Sequence, residues 1–238
     1  MSEMAFRRAV GPVGRQKMAI SALQRKNMVE SQIRPSDVTD RRITSAMQDL
    51  PRERFMPANV ADLAYMDDAV TVAPGRGLMA PRVFARLLQL AGIESRHKVL
   101  IVGALHGYSA AVISHLANEV VALESDASAV AAATPALQER GIANVTVVSG
   151  QLVDGWPAGA PFDVIFVEGA VEQMPAQLID QLAPSGRLVT VELSGAVGRG
   201  VIVQKSGTDG RVSVSRRVAF EASAPRLPGF ERAKVFSF

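Results

Sequence analysis

Between residues 98 and 192, short apolar runs alternate with stretches of helical character. This alternation constrains the fold more than any other feature. The runs are KVLIV (98–102), VVALE (120–124), VTVV (145–148), DVIFV (163–167) and GRLVTVE (186–192). Each has the length of a strand and is apolar along its whole length, as strands buried on both faces are. The helices between them are read at about Tyr108 to Ala117, at 127–139 and from Pro175 to Leu182. Strands and helices in that order build a parallel sheet covered on both faces. GVIVQK (200–205) and RVSVSRRVAF (211–220), separated by a turn with Gly207 and Gly210, read as an antiparallel hairpin closing one edge. The expected fold class is α/β, a doubly wound sheet with a C-terminal hairpin.

The N-terminal third reads differently. Residues 1–14 contain Gly11, Pro12 and Gly14 and are expected to form a disordered basic arm. From Gln16 to about Ile33 the apolar spacing is loosely helical. Thr39 or Asp40 can cap a second helix bearing Ile43, Met47 and Leu50, which Pro51 stops. AVTV (69–72) reads as a short strand before the turn Pro74-Gly75-Arg76-Gly77. Pro81 suits the first turn of a helix running to about Ala91, with Gly92 as its stop. The expected organisation is an arm (1–14), a helical cap with a loop region (15–79), and an α/β domain (80–238).

Composition narrows the chemistry. The 238 residues are 48% hydrophobic and 21% charged, an ordinary globular balance for one large domain or two small ones. There is no cysteine, which excludes disulfides, zinc–thiolate sites and a thiol nucleophile. His97, His106 and His115 have no metal-ligand spacing, so no metal is expected. His97 and His115 read as surface residues and His106 as a partly exposed loop residue. No serine-hydrolase elbow or phosphate-binding loop occurs. Of the net charge of +3, residues 1–27 carry +5 and the remainder is slightly acidic. The basic arm therefore suits an acidic partner or an anionic membrane surface, and no nucleic-acid partner is expected. No apolar stretch reaches the ~18 residues of a membrane span. The expected location is cytoplasmic, or peripheral to a membrane complex.

In an open parallel sheet, ligands bind beyond the carboxyl ends of the strands. The first strand of the block runs into the loop Gly103-Ala104-Leu105-His106-Gly107. The second ends about 20 residues later in Glu124, whose carboxylate can accept both hydroxyls of a ribose. That pairing points to an adenosyl ligand.

Several segments together give the chain a specific likeness. MVESQI (28–33), PRERFMP (51–57), LAYMDDAV (63–70), KVLIVGALHGYSAAV (98–112), VVALESD (120–126), the stretch 144–170 and QLAPSGRLV (181–189) resemble the protein-L-isoaspartate O-methyltransferase family. These are class I S-adenosylmethionine-dependent enzymes. The resemblance implies the class I methyltransferase fold, S-adenosylmethionine as cofactor and an isoaspartyl-containing protein as substrate. It implies a cofactor pocket built from Gly103, His106, Gly107, Glu124, Gly150 and Gln151.

The chain departs from the family's pattern at the chemistry. Ile101 stands where the first cofactor motif carries an acid that anchors the cationic methionine end. Leu105 replaces the middle glycine, where a side chain is expected to crowd the ligand. Gln151 stands at the adenine-contacting aspartate. In the substrate loop, matched by Gly75 to Pro81, Gly77 and Met79 replace the threonine and serine. No convincing catalytic residue is left, since the serine position is Met79. Met79 is expected to pack over the loop. Asp67 and Asp68 suit a turn or a contact that orients the substrate, and Trp156 suits an anchor for its loop. The expectation is a homologue with impaired or lost catalysis, a pseudoenzyme acting as a protein-binding accessory subunit of a larger complex, including a membrane-bound one. The alternative is an active methyltransferase repairing isoaspartyl residues in damaged proteins.

Overall fold

A computed structural model of the chain describes residues 12–207 and 212–232. Seven strands form one sheet: β3 (Lys98–Val102), β4 (Glu119–Glu124), β5 (Val145–Ser149), β6 (Phe162–Val171), β7 (Leu182–Ser194), β8 (Val197–Ser206) and β9 (Ser213–Glu221). Their order across the sheet is β5-β4-β3-β6-β7-β8-β9. The first five run parallel, and β8 and β9 are antiparallel. The chain winds outward from β3 to β5, then crosses back to β6. The switch point therefore lies at the carboxyl ends of β3 and β6, where such sheets bind ligands. β1 (Val70–Ala73) and β2 (Arg76–Leu78) form a separate small hairpin.

The helices fall where the sequence signals place them, but those at Tyr108 and Ala176 stop early, at Ser114 and Asp180, and Leu182 opens β7 instead of ending a helix. α1 spans Pro12–Met28 and runs into a widened turn at Val29–Ile33. It starts inside the stretch expected to be an arm. Residues 1–11 of that arm, and Gly210 of the β8–β9 turn, lie outside the described residues. α2 (Arg41–Asp49) is capped by the Asp40 carboxylate, which accepts the Arg42 amide. α3 (Pro81–Ala91) opens on proline and ends at Gly92 in the left-handed conformation. Arg187 of β7 donates to the Ala91 and Gly92 carbonyls, closing that helix end. α4 (Tyr108–Ser114) and α5 (Ala127–Glu139) follow β3 and β4, and α6 (Ala176–Asp180) precedes β7.

Alternation along the strands divides the core. Val99, Ile101, Val120, Ala122, Val164 and Phe166 pack on one face with α2, α3, α4 and the turn after α1. Leu100, Val102, Leu123, Ile165 and Val167 pack on the other with Leu178 of α6 and with Leu227 and Phe230 of the C-terminal segment. The N-terminal helices share the first cluster with the sheet, so the cap is part of one continuous core. His97 corrects the sequence reading. It is buried, because its Nδ1 accepts the Glu94 amide and closes the turn into β3. His115 is exposed as expected.

Phe166 is fully buried and meets Phe84 edge to face at 5.5 Å. Phe166→Ala is expected to destabilise the chain by about 3–5 kcal/mol in urea unfolding. Val214→Ala, on the exposed strand β9, should stay within about 0.5 kcal/mol.

Candidate active site

The strand registers place the candidate site. Val102 is level with Leu123 on one side and Val167 on the other. One residue further on, Glu124 and Glu168 therefore flank Gly103, with both carboxylates on the face that carries Ile101. Both carboxylates are buried, with Glu124 0% and Glu168 3% exposed.

Glu124 sits in a dense cradle. The Leu105 amide donates to its Oε2 (2.8 Å), and the Ser125 and Asp126 amides donate to its Oε1 (2.7 and 2.9 Å). Arg76 of β2 adds a bidentate pair, with Nη1 to Oε1 at 2.8 Å and Nη2 to Oε2 at 2.7 Å. Arg76 is itself only 8% exposed, and its Nη2 also donates to the Gly103 carbonyl. Burial alone would raise the Glu124 pKa. The Arg76 hydrogen bonds and charge, with the backbone amides, bring it below the ordinary carboxylate value.

The glycine loop turns on three residues with positive φ. Gly103 and Gly107 have φ +87° and +91°, and Leu105 holds a left-handed φ of +48°. A Cβ on Gly103 would stand 2.9 Å from Leu227 Cδ1. Leu227 belongs to a segment tied to β6, with Ala170 N to Pro225 O at 2.7 Å and Leu227 N to Ala170 O at 2.9 Å. The Leu105 side chain is buried in the first core cluster, and its amide serves Glu124. The His106 ring is half-buried with an unpartnered Nδ1, and burial lowers its pKa.

Glu168 accepts a short hydrogen bond from the Ser109 hydroxyl. Burial pushes its pKa up to about 7, against the lowering effects of Ser109 and of the Arg52 and Arg76 charges. Arg52, 1% exposed, donates to the Met79 carbonyl at 2.6 Å and lies over the Tyr108 ring at 4.7 Å. Its Nε and the Tyr108 hydroxyl are buried without a partner. Met79 is buried in the first core cluster.

Gly150 and Gln151 line an open cleft of about 740 Å³ with Trp156, Gln177 and Gln181, and Gln151 is exposed at its mouth. That lining does not include Gly103, Gly107 or Glu124. Trp156 packs against the second core cluster, as its anchoring role requires. Asp67 pairs with Arg82, and Asp68 accepts the Ala69 amide; both are exposed, in keeping with a turn.

Four residues that shape the site do not stand out in the sequence: Arg52, Arg76, Glu168 and Leu227. One signal was available for Glu168. VVALE and VIFVE are parallel apolar runs, each ending in an acid at its carboxyl end.

Among the described residues no group of His, Asp and Glu could hold a metal, and no helix is long and apolar enough to cross a membrane.

Comparison with known proteins agrees with this architecture. A protein-L-isoaspartate O-methyltransferase from Anaeromyxobacter sp. (strain Fw109-5) is 39% identical over 70% of this chain and 68% of its own. One from Protochlamydia amoebophila is 41% identical over 68% of this chain and 77% of its own. A solved protein-L-isoaspartate O-methyltransferase superposes with a TM-score of 0.73 at 23% identity, over 86% of this chain and 66% of that one. A Plasmodium falciparum protein described as a putative member, in complex with S-adenosyl-L-homocysteine, gives 0.70 at 18% identity, over 85% and 97%. Both show the class I methyltransferase fold. The family profile described as protein-L-isoaspartate(D-aspartate) O-methyltransferase matches residues 23–219, and the chain belongs to that family.

Proposed function

We propose that the chain is an S-adenosylmethionine-dependent carboxyl methyltransferase acting on isoaspartyl-containing proteins, with a cofactor site held shut in the free chain by Arg76. The observation that carries this reading is Glu124. It is buried at the strand end where the family accepts the ribose, in a cradle of three backbone amides. Relatives bearing the enzyme's name at 36–41% identity support it.

The residues present fit the adenosyl end of the cofactor once Arg76 withdraws. Glu124 would accept the ribose hydroxyls, while Leu227 would also have to move from Gly103 for a ligand to approach the loop backbone. Gln151 would accept from the adenine amine. When bound, S-adenosylmethionine supplies an activated methyl group for an acceptor carboxylate. The chain's own contribution is to hold the two reactants in line. Met79 offers that acceptor no hydroxyl, so efficiency below the family's norm is expected.

A second reading is a protein-binding homologue without efficient catalysis. It is favoured by the saturated Glu124, by Leu227 against Gly103 and by Met79 in the substrate loop. Calorimetric titration separates the two. The wild type should bind S-adenosylmethionine weakly. Arg76→Gln should bind it at least about tenfold tighter, some 1.4 kcal/mol, and methylate an isoaspartyl peptide faster. No binding by either protein at millimolar ligand would leave only the second reading. Glu124→Gln should destabilise the fold by about 3 kcal/mol or more, because it strands a buried guanidinium. Arg76→Gln should cost less, since three amides still face Glu124. Urea unfolding of both variants checks the order.

A further inference from the structure

Building on the proposed cofactor site, we infer that Glu168 replaces the acid lost at position 101 and binds the positively charged end of the ligand. The two positions lie on adjacent parallel strands and on one face. Ile101 is level with Phe166, and Glu168 stands two residues further along β6, beside Gly103. The carboxylate missing from β3 is thus supplied by the neighbouring strand, nearer the crevice. Ile101 itself is fully buried in the first core cluster and offers a ligand no charge.

Charge balance supports the assignment. In the free chain Arg76 lies in the field of both carboxylates and pairs with one. Its withdrawal takes the guanidinium from Glu124 and leaves Glu168 with the Arg52 charge. A cationic ligand would restore the lost charge, whereas a neutral nucleoside would not. The groups facing Glu168 are Ser109 and Tyr108 of α4, Arg52 of the turn after α2, Arg76 of β2 and Glu124 of β4. His106 of the glycine loop lies in the field of Glu124 and Arg76. Ser109 orients the carboxyl by its short hydrogen bond. Glu168 has no other evident task, since a buried acid without an ion pair destabilises the fold that carries it.

The experiment compares Arg76→Gln with the double variant Arg76→Gln, Glu168→Gln, titrating each with S-adenosylmethionine and with adenosine. Glutamine keeps the side chain's shape and an acceptor for Ser109, and unfolding midpoints check that both variants are folded. The second glutamine should weaken S-adenosylmethionine binding about tenfold and leave adenosine unchanged. In the single variant, affinity for S-adenosylmethionine should rise with pH as the carboxyl ionises, and the double variant should lose that dependence. Equal affinities and equal pH profiles in the two variants would overturn the role of Glu168 while leaving the adenosyl site intact. Failure of the single variant to bind even adenosine would overturn the cofactor site and this inference together. Ser109→Ala offers a milder check and should reduce S-adenosylmethionine affinity in the same direction without touching adenosine.

Discussion

The buried pair between Arg76 and Glu124 joins the two halves of this molecule. Arg76 comes from the small hairpin before the α/β block, and Glu124 ends the second strand of that block. Two charges taken out of water need close geometry and further hydrogen bonds to remain there. Here the geometry is bidentate, three amides complete the carboxylate, and the Gly103 carbonyl takes another guanidinium hydrogen. The substrate loop is thereby fastened to the glycine loop. Met79 and Arg52 follow, because Arg52 reaches the Met79 carbonyl just beyond the hairpin.

On the proposed function, this arrangement sets the substrate loop against the cofactor. A carboxylate suited to a ribose is satisfied from within the chain, and a ligand must compete with an intramolecular partner. The apparent affinity of such a site falls by the fraction of chains that are open. Leu105 keeps the left-handed backbone of a glycine and turns its side chain into the core, so the amide that serves Glu124 is preserved.

Much of the fold is legible in the sequence because its signals are local. KVLIV is a strand end to end, Asp40 caps its helix, and Pro81 and Gly92 bracket theirs. Helices at 108 and 176 end sooner than the apolar pattern suggests, at Ser114 and Asp180, although burial continues beyond both ends. The site is less legible. Glu124, Gly103 and Gly107 could be found from spacing, since strand, loop and helix are contiguous. Arg76 reads as a turn residue, for nothing nearby announces a carboxylate 48 positions away. Leu227 is equally silent, one leucine in a segment that lies on β6 only through tertiary hydrogen bonds. The error over His97 has the same origin: three residues of local turn geometry bury a side chain that composition places outside.

The central claim is that Arg76 and the ligand exclude one another at Glu124. The most direct measurement follows the Arg76 guanidinium by NMR, assigned by comparison with Arg76→Gln, during titration with S-adenosylmethionine. The account predicts a slowly exchanging, hydrogen-bonded guanidinium in the free chain that becomes solvent-exchanging as the ligand binds. Ligand binding that leaves the Arg76 signals unchanged would contradict it.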